Sequence, residues 1–454
     1  MDFPFDILDH IFSFLISHPE CLIACSEASP VFSHMVEKYR YYHVVIHTGE
    51  TKIEYCLEPS YLTNLLSDKP RIANYVHVLQ VEFPLHRWQM APYLEQIIPI
   101  LPMFPVLECI VLSAPYFEIS WEENLSQDFK KAIEGCLHLP SLKEVHVGCF
   151  DFPLSTLDDH ANIDCFSFSG TPTISEFADA TYPHLTYLSV EDPFFDKSGY
   201  PIIFNSWAKQ HIAKLQSLKC DYPSDETTLE LLASCSDTLN NLDLSLTGSI
   251  SSECESSLVA YHSDIESFIP VATTYELKKR YLSPDRGTHP RVNLSSLSHL
   301  QHLTIRAVIY FSRGDYYNIC VTFLPAAMEI LNTVSSLQQL TIEINVNISS
   351  GYRSPYDFAT IDDVDLSPLT GLTPLAENPV SIRHIDLYFN FEDEKFPQTK
   401  IVSLLAMYGG LKGLIKRGVL VVHMGTAQTF LDKGASKCVL HMHQRPRSLL
   451  DTFT

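Results

Sequence analysis

The chain has 454 residues, 46% of them hydrophobic, which is enough to build a large packed core and argues against long-range disorder. Its net charge of −23 at pH 7 would repel a phosphate backbone, so general nucleic-acid binding is not expected. The twelve cysteines include no C-x-x-C pair, which argues against a zinc knuckle and favours reduced thiols in an intracellular compartment.

No secretory or membrane segment is expected from the sequence. The first residues lack the basic stretch and the cleavage site of a secretory signal. The late apolar stretch IVSLLAMYGGLKGLIKRGVLVV is interrupted by Lys412, Lys416 and Arg417, which makes it unsuited to crossing a bilayer. We therefore expect a cytoplasmic or nuclear protein with no membrane partner.

The N-terminal stretch predicts three short helices followed by a strand. The first helix runs from about Asp6 to Leu15, a second begins at Pro19, and a third begins at Pro30 with Ser29 as its cap. YYHVVI then predicts a strand that ends at residue 46. The apolar residues of the first helix recur at the spacing of one helix face: Ile7, Leu8, Ile11, Phe12 and Leu15.

After residue 70 a different pattern recurs, in which an apolar residue, two spacers, a second apolar residue, one spacer and a third apolar residue follow each other. Helical stretches such as MAPYLEQIIPIL and LSQDFKKAIEGCL precede most copies, so the predicted unit is a helix, a turn and a strand. Such units bury their apolar faces by stacking into a solenoid. The nine copies begin at Val76, Leu107, Leu142, Leu185, Leu215, Leu239, Leu300, Leu337 and Ile382.

Two further features complete the predicted organisation. The longest gap between copies is rich in serine and predicts an insertion at about 248–292, and GVLVVHM predicts a last strand after a helix at about 398–416. Asparagine follows the strand at the offset typical of leucine-rich repeats only at Asn345 and Asn390, so an asparagine ladder is not the general device that closes each turn.

The N-terminal stretch FPFDILDHIFSFLISHPECLIACSEASPVF resembles an F-box. Pro4 stands at the proline position of that motif, and Ser26 falls in its second block. The rest of the chain resembles the irregular leucine-rich tails of many fungal F-box proteins. The residues that the resemblance assigns to partner binding are Pro4, Ile7, Leu8, Ile11, Phe12, Leu15, Leu22, Cys25, Val31 and Phe32.

The resemblance implies an α/β protein with a three-helix F-box at 1–46 and an irregular leucine-rich-repeat-like solenoid at 47–454. It implies that the helices bind a Skp-type adaptor, and through it a cullin of a ubiquitin ligase, while the solenoid binds a target protein. The alternative is a scaffold that binds proteins outside any ligase.

No enzymatic motif accompanies these elements. GxSxG, P-loop, GxGxxG and HExxH are all missing from the sequence, so we expect no catalytic residues, cofactor or bound metal. The acid–histidine run at Asp158–His160 is expected in a loop. His441 and His443 share one strand face but provide fewer ligands than a metal site needs.

The spacers next to the second and third apolar residues of each copy are expected to form an open strand face, because strand side chains alternate. Acidic residues outnumber basic ones there, which favours a basic or neutral protein segment as the target. The other interpretation is an ordinary solvated face. The residues assigned to target binding are Glu144, Glu191, Asp243, Arg306, Glu343 and Asp386.

Overall fold

The computed structural model divides the chain into two compact units, Met1–Leu215 with Phe430–Gln444 and Gln216–Thr429 with Arg445–Thr454. The predicted insertion at 248–292, the Asp158–His160 cluster and the 441–443 histidine pair lie outside the described residues. The structure describes residues 5–15, 19–47, 56–84, 87–114, 119–148, 150–157, 162–169, 185–191, 212, 214–221, 231–245, 294–311, 327–328, 330–348, 367–377, 382–391, 405 and 408–426.

The first unit begins with three helices, α1 (Phe5–Phe14), α2 (Pro19–Ala28) and α3 (Pro30–Arg40), at the positions that the sequence predicts. The Ser29 side chain accepts a hydrogen bond from the Val31 N–H at 3.3 Å, and Pro30 occupies the first turn of α3. The predicted cap and the predicted proline position are therefore confirmed. Proline suits this position because the N–H groups of the first turn have no acceptor within the helix, so none is lost.

A parallel sheet of seven strands follows in the first unit, in the order β2-β1-β3-β4-β6-β8-β9. Its strands are β1 (His43–Ile46), β2 (Cys56–Leu57), β3 (Val78–Glu82), β4 (Cys109–Ser113), β6 (Glu144–Gly148), β8 (Cys165–Ser169) and β9 (Tyr187–Glu191). A separate parallel pair joins β5 (Ile119–Ser120) to β7 (Phe150–Asp151). The intervening helices are α4 (Pro59–Asp68), α5 (Met90–Ile97), α6 (Trp121–Asn124) and α7 (Gln127–Leu137).

In the second unit six parallel strands neighbour each other in chain order. These are β10 (Ser217–Asp221), β11 (Asn241–Ser245), β12 (His302–Phe311), β13 (Gln339–Ile348), β14 (His384–Phe391) and β15 (Leu420–Thr426). Helices α8 (Leu372–Glu377) and α9 (Gly409–Lys416) precede the last two strands. Gly418, at φ +69°, makes the left-handed turn from α9 into β15. The predicted α/β class is thus confirmed, and the strands pair in parallel.

The repeated apolar pattern predicts every one of its nine strands. Each strand begins two residues after the first apolar residue of a copy, and all three apolar positions of every copy are buried, the most exposed being Ile382 at 6%. A further copy, missed from the sequence, occupies β8, where Ile163, Phe166 and Phe168 are buried in the same spacing. The pattern therefore marks the residues that form the core of each unit.

Main-chain carbonyls connect neighbouring copies at the point where their strands begin. The Glu108 carbonyl accepts hydrogen bonds from the N–H groups of Lys143 at 2.8 Å and Glu144 at 3.0 Å. The Gln301 carbonyl does the same for Gln338, which precedes β13, and for Gln339, its first residue. Since these bonds use only backbone groups, the first spacer of each copy is free to vary in sequence.

Thiol labelling should separate exposed from buried cysteines. Burial raises the pKa of the Cys136 and Cys235 thiols to about 12, so at pH 8 only about one in 10,000 would be a reactive thiolate. We expect iodoacetamide to alkylate the exposed Cys21 in the native protein and to leave Cys136 and Cys235 unmodified until denaturant is added. Peptide mass spectrometry measures this, and equal native rates at the three cysteines would contradict their placement.

Candidate functional site

The three N-terminal helices pack around a small core of their own. Phe12, Leu22 and Val36 are buried at its centre, and the Phe12 ring meets the rings of Phe32 at 5.8 Å and Tyr39 at 6.3 Å. The partly buried side chains that complete this cluster are Leu8, Leu15, Cys25, Phe32, Met35 and Tyr39. The helices therefore form a bundle with one side of α1 turned inward.

Polar contacts fix α1 against α3. The Lys38 ammonium lies 2.6 Å from the Asp9 carboxylate, and the Tyr39 hydroxyl donates to the Asp9 carbonyl at 2.9 Å. The hydrogen bond from Lys38 holds the pKa of the Asp9 carboxyl below its ordinary value. These contacts set which side of α1 faces away from the bundle.

The outward side of α1 carries large apolar residues that nothing in the described chain buries. Ile7 is 48% exposed, Ile11 44% and Phe14 59%, and we call these three residues the α1 surface. Val31, at the start of α3, is 54% exposed. Exposed apolar side chains that are adjacent on one helix face are typical of a surface that another protein covers.

The predicted partner-binding residues thus divide into four groups. Ile7, Ile11 and Val31 are exposed, whereas Phe12 and Leu22 are buried within the bundle and support it from inside. Pro4 lies outside the described residues. Those that are partly buried against the bundle core are Leu8, Leu15, Cys25 and Phe32. Phe14 was not among the predicted contacts, although its spacing of seven residues from Ile7 places both on one face.

Glu37 joins the bundle to the segment that precedes β3. Its carboxylate lies 2.7 Å from the Arg71 guanidinium and 3.3 Å from the Lys69 ammonium. The Glu37 side chain is only 11% exposed, so solvent screens these contacts less than it screens most surface pairs. The bundle is therefore held against the sheet-forming part of the first unit.

The strand face of the first unit is less open than the sequence predicts. Val78, Cys109 and Val111 occupy spacer positions of β3 and β4, yet they are buried and Tyr42 packs against them. The expectation of an open face is wrong for these two strands, because the residue before β1 covers them. Glu144, in β6, is half-exposed beside His146. The structure does not describe the side chain of Glu191.

The second unit pairs three of the predicted target-binding residues with each other. The Arg306 guanidinium lies 2.7 Å from the Asp243 carboxylate and 2.9 Å from that of Glu343. All three side chains are about one-fifth exposed. The register places Glu343 directly opposite Arg306, while Asp243 is opposite Thr304, two residues before Arg306. The three side chains form one cluster with a net charge of −1.

Asp386 lies within a polar network on β13, β14 and β15. Its Oδ1 atom is 2.8 Å from His423 Nε2 and 3.1 Å from His384 Nε2, and Gln339 donates to Oδ2 at 3.3 Å. Tyr388 stacks on the His423 ring at 4.2 Å. Burial raises the pKa of the Asp386 carboxyl, but the histidine hydrogen bonds and charges outweigh it, and the net pKa is lowered.

Replacing Asp386 by asparagine should destabilise the second unit by about 1.5–3 kcal/mol at pH 7, since hydrogen bonds to a buried charged group are lost. A lowered folded-state pKa stabilises the fold above the ordinary value of 3.8 and loses that effect as pH falls below it. At pH 7, peptides from β13–β15 should therefore exchange faster in the Asp386→Asn variant than in the wild-type chain. Asp237→Asn, at an exposed position, is the control, and an Asp386→Asn variant as stable as the control would contradict this role.

No protein-family model matches the chain, and the search of curated proteins finds no match. Among the described residues, no helix is both long and apolar enough to cross a membrane.

Proposed function

We propose that this chain is the substrate-recognition subunit of a cullin–RING ubiquitin ligase of the SCF type. Its N-terminal bundle would bind a Skp-type adaptor, and its strand-bearing region would bind the protein to be modified. The observation that carries the proposal is the α1 surface, on which Ile7, Ile11 and Phe14 are about half-exposed. The F-box resemblance of the same stretch supports the choice of partner.

The energetics favour a partner on this surface. Full burial of one large apolar side chain contributes about 1.5–3 kcal/mol, so covering three half-exposed ones contributes on the order of 1 kcal/mol each. A ten-residue helix is also marginal by itself, and a partner that packs on it would stabilise it. The adaptor would supply an apolar surface for α1 and remove these side chains from water.

The two parts of the chain would have separate tasks. The Glu37 contacts with Lys69 and Arg71 support a fixed placement of the bundle against the sheet-forming part of the first unit. A target held by the strands of the first unit would then keep a constant position relative to the ligase. Ubiquitin transfer would be accelerated by proximity, with the chemistry done by other subunits.

The charge of the strand face supports a basic or neutral target segment. In the first unit, Glu144 is half-exposed. In the second unit, the Asp243–Arg306–Glu343 group is net negative, and the pKa of the Asp386 carboxyl is lowered. The acidic strand residues of either unit would steer a basic segment toward that unit in a salt-dependent manner.

Affinity capture of the full chain from eukaryotic cells tests the proposal. We expect mass spectrometry to find the adaptor and a cullin with the wild-type chain, and to find ubiquitin-modified lysines on co-captured proteins. An Ile7→Asp/Ile11→Asp chain should lose the adaptor and the cullin. Captured proteins without adaptor or cullin would favour the scaffold alternative and would contradict the ligase role.

A further inference from the structure

The sheet of the first unit brings a thiol, a carboxylate and an imidazole together on one face. Cys109 in β4 and Glu144 in β6 are directly paired in the parallel ladder, and His146 follows Glu144 by two residues on the same side. Their Sγ, carboxylate oxygen and ring nitrogen atoms all lie within 4.8 Å of one another. His146 Nε2 lies 3.5 Å from Glu144 Oε2.

We propose that Cys109, Glu144 and His146 bind one zinc ion. A thiolate, an imidazole and a carboxylate are the ligands that zinc takes in proteins, whereas calcium and magnesium require oxygen ligands. Three protein ligands leave the fourth tetrahedral position to water or to a group from a bound molecule. This proposal does not rest on the ligase function, although it uses Glu144, which is also one of the predicted target-binding residues.

The geometry is close to what a zinc ion requires. Bonds of about 2.0–2.3 Å in a tetrahedron place the ligand atoms roughly 3.3–3.8 Å apart. The 3.5 Å between His146 Nε2 and Glu144 Oε2 already falls in this range, and the Cys109 sulfur lies within 4.8 Å of both side chains' ligand atoms. The rigid ladder that pairs the two strands fixes the backbone from which these side chains extend.

The surroundings suit a metal that enters from one side. Cys109 and His146 are 3% and 4% exposed, while the Glu144 side chain is 45% exposed. Val111 is buried next to Cys109, so one side of the site is apolar. Attraction between the ligands and a cation is screened less in such surroundings than in water. The thiolate and the carboxylate together would balance the two positive charges of the ion.

Zinc binding to the purified, metal-stripped full chain tests the proposal, with Zn²⁺ alone as the probe and a chromophoric chelator as competitor. Co²⁺ in place of Zn²⁺ should give a thiolate-to-cobalt charge-transfer band. Cys109→Ser should remove this band and weaken Zn²⁺ binding more than about 100-fold, since loss of an outer-shell partner alone costs 10–100-fold. Cys165→Ser is the matched control, because Cys165 pairs with Glu144 from the opposite side in β8.

Glu144→Gln provides a second variant in case the buried positions do not tolerate change. Glu144 is half-exposed, so this variant should fold, and it should bind Zn²⁺ at least about tenfold more weakly. Failure of the wild-type chain to bind, an unchanged band in Cys109→Ser, loss of the band in Cys165→Ser, or unchanged affinity in Glu144→Gln would each overturn the site.

Discussion

An Ile7→Asp/Ile11→Asp chain is expected to lose binding to the Skp-type adaptor by more than about 100-fold. Docking would bury two unpaired carboxylates in an apolar interface, which costs several kcal/mol, and each 1.4 kcal/mol is a factor of ten in affinity. Both side chains are about half-exposed in the free chain, so the bundle should fold normally with the substitutions. Surface plasmon resonance with the purified adaptor and the full chain measures the change.

Two other variants separate this effect from general damage. Leu8→Asp places a charge against the bundle core and should unfold the three helices, which circular dichroism and proteolysis would detect. Met103→Asp changes an exposed apolar residue outside the bundle and should leave adaptor affinity within about twofold. Wild-type affinity in the folded Ile7→Asp/Ile11→Asp chain would refute the role of the α1 surface.

Phe129→Ala should lower the free energy of unfolding of the first unit by about 3–5 kcal/mol. The Phe129 side chain is fully buried on α7, and its ring meets that of Phe83 edge-on at 6.0 Å. Its removal deletes a large apolar contact and leaves a cavity between the helix and the strand region. Urea unfolding followed by tryptophan fluorescence reports on this unit, since Trp88, Trp121 and Trp207 all fall within its range.

The matched control is Lys131→Ala, on the exposed side of the same helix. It removes a charge but no buried contact, so it should change the stability by no more than about 0.5 kcal/mol. A Phe129→Ala chain that unfolds at the same urea concentration as this control would show that α7 does not contribute to the core as described.

The spacing of apolar residues is enough to predict the strands. Each copy buries one apolar residue before its strand and two alternating ones within it, and all three lie within six consecutive residues. Phe166 and Phe168 fit this spacing as well as leucine does, and β8 was missed because its copy is aromatic. The helix α9 (Gly409–Lys416) confirms the later part of the helix predicted at about 398–416, whereas most of its earlier part lies outside the described residues.

The sites depend on packing and register, which spacing alone does not give. Periodicity groups the apolar residues of α1, but only contact with α2 and α3 decides that Phe12 turns inward and Phe14 outward. In the same way, the pairing of β4 with β6 brings Cys109 opposite Glu144 and close to His146, residues that are far apart in the sequence. The contacts of Arg306 with two carboxylates likewise require the alignment of three strands.

Hydrogen exchange of the full chain with and without the purified Skp-type adaptor tests whether α1 binds the adaptor. We expect the adaptor to slow exchange in peptides covering α1 and the start of α3, while peptides from the strands of the second unit keep their rates. Adaptor binding that leaves α1 exchange unchanged, or an adaptor that does not bind the folded chain at all, would contradict this expectation.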